Sequence, residues 1–142
     1  MTERLKGKVA LITGAAQGLG KEMANSMIEE GAEVFISDIN DSELKKTCNE
    51  LSCQGINLDV TMSKDWISAI EFIKNEAGSL NILVNNAGIW GVKGEIDKVD
   101  WKAWVETINI NLLGSVLMCR AVLPLFKKNN FGKIIQLSGG GA

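Results

Sequence analysis

A chain of 142 residues, 46% hydrophobic and with a net charge of −2, is long enough to bury one core and offers no electrostatic case for nucleic acid or an anionic membrane. It contains neither histidine nor tyrosine, which excludes Ser-His-Asp and Cys-His catalysis, histidine metal sites, and an imidazole or phenol as acid, base or nucleophile. Proton chemistry within these residues is left to Asp, Glu, Lys, Cys, Ser or a bound water.

The polar segment from Met1 to Lys8 lacks the pattern of a signal peptide, and no apolar run approaches the roughly 18 residues that span a bilayer. Lys8 to Thr13 is an apolar run ended by glycine, the pattern of a strand covered on both faces. From Gly18 to Glu30, Leu19, Met23, Ala24, Met27 and Ile28 form a helical stripe that Gly31 terminates. Glu33 to Asp38 reads as a second strand and Asp41 to Leu51 as a helix. Gly55 to Leu58 is a short strand, Ser63 to Glu76 a helix closed by Gly78, and Asn81 to Asn85 a fourth strand. Val99 to Asn129 divides into two helical pieces that meet near Asn109 to Asn111, where Asn-Ile-Asn is a propensity defect that fits a local break. Gly132 to Leu137 is the fifth strand. Cys48, Cys53 and Cys119 are odd in number and lack CxxC spacing, so neither a disulfide framework nor a metal site is indicated, and free thiols fit a cytoplasmic setting.

No repeat, low-complexity tract or proline-rich linker divides the chain, so 1–142 reads as a single domain. Five apolar strands alternating with helices require crossover connections. The expected fold is α/β, a doubly wound parallel sheet ordered 3-2-1-4-5. Such sheets take ligands in the crevice at the carboxyl ends of their strands.

Thr13-Gly-Ala-Ala-Gln-Gly-Leu-Gly20 lies at that end of the first strand and opens the first helix. Glycines there let backbone approach a pyrophosphate, and the helix start supplies free N–H groups and a positive dipole. No Lys-Ser/Thr pair follows Gly20, so this is not a Walker-type loop. Asp38 ends the second strand, where a carboxylate can accept from a ribose diol and repel a 2′-phosphate; capping the next helix is the other role open to it.

The loop at 13–20, Asp59-Val60, Asn85-Asn-Ala-Gly88 and Asn111-Leu-Leu-Gly114 together resemble the short-chain dehydrogenase/reductase family, over essentially the whole chain. Glycines at 14, 18 and 20 with Gln17 are similar to its shorter, non-extended branch. The resemblance implies a Rossmann-like fold and NAD as cofactor, with Gly14, Gln17, Gly18, Leu19 and Gly20 holding the pyrophosphate. It implies that Asp38 selects NAD over NADP, in keeping with the non-basic Gln17. Asp59 and Val60 would border the adenine, with Asp59 also able to cap the helix at Ser63. Asn86, Ala87 and Gly88 would line the nicotinamide-side ribose, and Asn111 would be the helix-interrupting asparagine that anchors a water in a proton relay.

The family's reaction is hydride transfer between the nicotinamide and a small-molecule alcohol or carbonyl. Its members use a Ser after the fifth strand, then a Tyr and a Lys four residues beyond it. The Tyr-Lys pair has no counterpart here, and the serine position falls on Gly139, one residue after Ser138. Ser138 is the candidate in its place, or else a hydroxyl that satisfies the strand end. The expectation is an N-terminal, truncated portion of an NAD-dependent oxidoreductase that forms a homo-oligomer, partly through the apolar helix from Gly114 to Phe126. A non-catalytic dinucleotide-binding protein is the alternative. Trp66, Trp101 and Trp104 read as packing residues, and Trp90 as either a cleft wall or a loop anchor.

Overall fold

The five apolar runs form one parallel sheet in a computed structural model that describes residues 2–139. Its strands are β1 (Val9–Thr13), β2 (Glu33–Asp38), β3 (Gln54–Asn57), β4 (Ile82–Asn85) and β5 (Lys133–Gln136). They lie in the order β3-β2-β1-β4-β5, so that Leu11 of the central strand faces Phe35 on one side and Leu83 on the other. The connections are α1 (Gly18–Glu29), α2 (Asp41–Leu51), α3 (Ser63–Ala77), α4 (Trp101–Ile108) and α5 (Gly114–Lys128).

Successive strand residues point to opposite faces, which splits the apolar runs into two cores. Val9, Leu11, Phe35 and Leu83 pack with Trp66, Ile73, Met118 and Val122 of α3 and α5. Ala10, Ile12, Val34 and Ile36 pack on the other side with Ala24 of α1 and Leu44 of α2. β1 is buried along its whole length, as a central strand covered by helices on both faces must be. β5, at the sheet edge, is exposed throughout.

The helix over residues 101–128 does not break at its asparagines. A π-helical turn, Asn109–Leu113, joins α4 to α5, with Ile108 and Gly114 on either side in helical conformation. Its wider hydrogen-bond spacing absorbs the Asn-Ile-Asn defect without ending the helix. The resulting rod, Trp101–Lys128, is 28 residues long and contains an 18-residue stretch of mean hydropathy 1.6, long and apolar enough to cross a bilayer. Counting consecutive apolar residues does not reveal this, because the apolar positions are spread around helical turns. Met118, Val122 and Phe126 seat the rod on the sheet in the manner of a core helix. Leu117 and Leu125 pack against the same core, whereas Val116 and Leu123 are exposed. α4 buries no residue, and Trp101 is 63% exposed, stacked on Trp104 with ring centroids 5.0 Å apart.

Candidate functional site

The carboxyl ends of β1, β2 and β4 bring three short segments together. After β1 the chain turns through Gly14 at φ 61° and Gly18 at φ 59°, a region that side chains other than glycine's rarely enter. A β-carbon on Gly14 would lie 2.7 Å from Ala87 Cα, so the loops after β1 and β4 are in contact there. Asn86 ties them together: its Nδ2 donates to the carbonyls of Thr13 and Gly14, each at 2.9 Å. Thr13 Oγ1 accepts in turn from the N–H groups of Asn86 and Ala87.

Gly20 stands behind this contact and is absent from the cleft lining. A β-carbon there would meet Asn86 Nδ2 at 2.5 Å and the Gly14 carbonyl at 2.7 Å. It lets α1 close on the sheet. The N-terminus of α1 carries neither a side-chain cap nor an acidic residue in its first turn. Its opening N–H groups and the positive end of its dipole are therefore free for an anion.

Asp38 faces the same loop. Its Oδ2 accepts from Ala16 N–H at 3.2 Å and its Oδ1 from Asn40 N–H at 3.0 Å. The cap of α2 is Asn40, whose side chain accepts from Glu43 N–H. Asp59 accepts from both the N–H and the hydroxyl of Thr61, at 2.9 and 2.7 Å. The helix-cap position of α3 is held by Met62, without a side-chain bond. The carbonyl of Val60 accepts from Trp66 Nε1 at 2.7 Å. Gly114 lets α5 approach Val60, for a β-carbon there would lie 2.8 Å from Val60 Cγ2.

A cleft of about 700 Å³ is lined by Gly14, Gln17, Gly18, Leu19, Asp38, Asp59, Val60, Asn86, Ala87 and Gly88. Sequence reasoning missed Ile39, Leu58, Ile89 and Ile110, which also line it; nothing but their place beside motif residues signals them. A second cleft of about 850 Å³ shares Leu19 and Asn86 to Trp90 with the first. Asn111, Ser138 and Gly139 line this second cleft together. Asn111 does not project freely into it, since both ends of its side-chain amide bind the backbone of Ile89. The buried Asn85 donates through Nδ2 to Oε1 of the cleft residue Gln136 at 3.1 Å, and Gln136 Nε2 donates to Ser115 Oγ at 3.1 Å.

The thiols of Cys48 and Cys53 lie outside both clefts, against the α1/α2 core. Burial raises the first and pushes the second up to about 12, so both stay protonated at neutral pH. Among the described residues no group of three or more His, Cys, Asp or Glu side chains is placed to hold a metal.

A family model for the short chain dehydrogenase matches residues 8–142. Over 140 residues the chain is 39% identical to the 3-alpha-(or 20-beta)-hydroxysteroid dehydrogenase of Mycobacterium bovis, covering 97% of this chain and 54% of that protein. It is 33% identical over 149 residues to the trans-4-hydroxycyclohexanecarboxylate dehydrogenase of Sinomonas cyclohexanicum, covering 97% and 57%. A 3-ketoacyl-(acyl-carrier-protein) reductase from Brucella melitensis, solved in complex with NADH, matches with a TM-score of 0.84 at 34% identity. That match covers 88% of this chain and 52% of the reductase. The chain thus spans about half the length of these relatives.

Proposed function

The chain belongs to the short chain dehydrogenase family, and on that premise we propose that it is the cofactor-binding part of an NAD-dependent oxidoreductase acting between an alcohol and its carbonyl form. Bound NAD supplies the hydride acceptor, so that an alcohol yields a carbonyl compound, NADH and a proton. The observation that carries this reading is the convergence of the uncapped α1 N-terminus, the Asp38 carboxylate and the Asn86–Gly88 turn on one cleft.

The fit to a dinucleotide rests on that cradle. Gly14, Gln17, Gly18 and Leu19 would present backbone N–H groups to the pyrophosphate, with Gly20 allowing the helix to sit close behind them. Asp38 would accept from the adenosine ribose. No Lys or Arg lines this cleft among the described residues, so a 2′-phosphate would meet a carboxylate with no counter-charge, which favours NAD over NADP. Asp59 and Val60 would border the adenine, and Asn86, Ala87 and Gly88 the nicotinamide-side ribose. Ser138 would orient the substrate oxygen, and Asn111 would hold the loop that separates the two clefts. These residues contain no tyrosine, so the family's Tyr-Lys acid–base pair is not supplied by them. Apolar side chains exposed outside both clefts, Trp101 and Val105 of α4 and Leu123 of α5, support self-association into a homo-oligomer.

The test is a titration with NADH and NADPH followed by nucleotide fluorescence. NADH should saturate and bind more tightly than NADPH. Asp38→Ala should weaken NADH about tenfold or more, the effect of losing hydrogen bonds to a charged group, and should narrow its advantage over NADPH. An absence of saturable NADH binding overturns the reading, and unchanged selectivity in the variant removes Asp38 from it. Alcohol-dependent NADH formation by these 142 residues should be negligible if the acid–base pair lies elsewhere.

A further inference from the structure

Trp90 is 95% exposed, more than any other large apolar side chain among the described residues. It stands where the two clefts meet and lines both of them. A loop anchor would be buried, and this indole is not. The preceding residue, Ile89, is fastened at both its N–H and its carbonyl by Asn111. The indole thus lies at both clefts, next to a fastened residue.

The second cleft supplies an independent observation. Among the described residues its lining includes no Asp, Glu, Lys or Arg. Its apolar side chains include Leu19, Ile89, Leu112, Val116 and Leu137, and its Asn111, Gln136 and Ser115 side chains already make hydrogen bonds within the protein. A carboxylate, phosphate or ammonium entering there would lose hydration without gaining a counter-charge. A neutral, apolar body bearing one hydroxyl or carbonyl would not.

We propose that Trp90 is the specificity-determining wall of the substrate cleft, and that the substrate is an uncharged, apolar ring alcohol or ketone laid against the indole face. This rests on the reading of the adjoining cleft as the dinucleotide site. A rigid carbocycle covers a flat indole without freezing rotors, whereas an open chain loses that freedom on binding. Its oxygen is directed toward Ser138, the hydroxyl at the end of β5 on the same cleft wall.

The experiment measures dissociation constants by calorimetry on the chain saturated with NAD, which has no hydride to give a ketone. The probes are 2-decalone, 2-decanone and 9-oxodecanoate, which share a carbon count and differ in ring closure or terminal charge. The bicyclic ketone should bind at least tenfold more tightly than 2-decanone, and 9-oxodecanoate at least tenfold more weakly. Trp90→Ala should bring 2-decalone close to 2-decanone, while Trp90→Phe should keep most of the preference. Circular dichroism on both variants should match the parent, because the side chain is not part of either core. NAD saturation with no ring preference, or a preference that Trp90→Ala leaves intact, overturns this proposal alone. Failure of NAD to saturate the parent chain overturns both it and the cofactor reading.

Discussion

Asn111 holds Ile89 by both ends of its backbone: Oδ1 accepts the Ile89 N–H at 2.8 Å, and Nδ2 donates to the Ile89 carbonyl at 2.9 Å. The pair works like one rung of a sheet ladder, fastening the π-helical turn to the loop after β4. Only a side chain with a donor and an acceptor on one short stem can make it. Gly88 leaves the room, since a β-carbon there would lie 3.2 Å from Asn111 Oδ1.

Asn111→Ala removes both bonds, and Asn111→Asp keeps the acceptor while setting a second oxygen against the Ile89 carbonyl. At about 0.5–1.5 kcal/mol for each bond, the alanine variant should lose about 1–3 kcal/mol by chemical denaturation. Amide exchange should accelerate at Ile89 and Trp90 and stay unchanged in β1. Unchanged exchange at Ile89 would show that the loop is held by something else.

Gly14 and Gly18 share a left-handed backbone but differ in their surroundings. A β-carbon on Gly14 meets Ala87 Cα at 2.7 Å, whereas one on Gly18 meets nothing within 4 Å. Gly18→Ala should therefore show only the backbone penalty, about 1–2 kcal/mol. Gly14→Ala should cost clearly more, because the loops after β1 and β4 must part. NADH titration alongside thermal melts checks the pair, and equal losses of stability would contradict the contact.

Most of the sheet was legible because its apolar runs are bounded by glycines and polar turns. β3 was the least so: Gln54 joins it through pairing with Phe35, a tertiary fact that no local pattern carries. Asn-Ile-Asn announced a disturbance at 109–111, but whether a helix breaks or widens depends on what seats it on either side. Trp101 lies in a helical stripe yet is exposed, because α4 stands off the sheet. At the site, the motif residues and the cleft were readable together, while the work of Gly20 was not. Spacing groups it with the phosphate glycines, and only the closeness of Asn86 shows that it serves packing. Asp59 looked able to cap α3; it closes a turn on Thr61 instead, two residues away.

Glu30 offers a pH-dependent check on how the N-terminal segment is fastened. Hydrogen bonds from Arg4 and Thr2 hold its carboxyl well below the ordinary value of 4.5, at about 2. A carboxyl depressed in the folded state contributes stability above about 4.5, and that contribution fades as pH falls from there toward about 2. Arg4→Gln should return the Glu30 titration, followed by NMR, toward the ordinary range and flatten this part of the acid-stability profile. A titration left near 2 in the variant would mean that Arg4 is not the cause.

Trp66 joins the core to the cleft. Its ring is 1% exposed within the α3/α5 core, and its Nε1 donates to the carbonyl of Val60, a residue that lines the cleft and against which Gly114 packs. Trp66→Ala combines a large cavity with the lost bond and should remove about 3–5 kcal/mol, a large share of the ~5–15 kcal/mol that holds a typical domain together. Trp66→Phe is the sharper experiment, because it keeps most of the ring and leaves the Val60 carbonyl without its donor. That should lower stability by about 1–3 kcal/mol. It should also weaken NADH several-fold, since Val60 is then free to shift at the adenine edge. A phenylalanine variant that loses stability but binds NADH as the parent does would separate the two roles and leave Trp66 to the core alone.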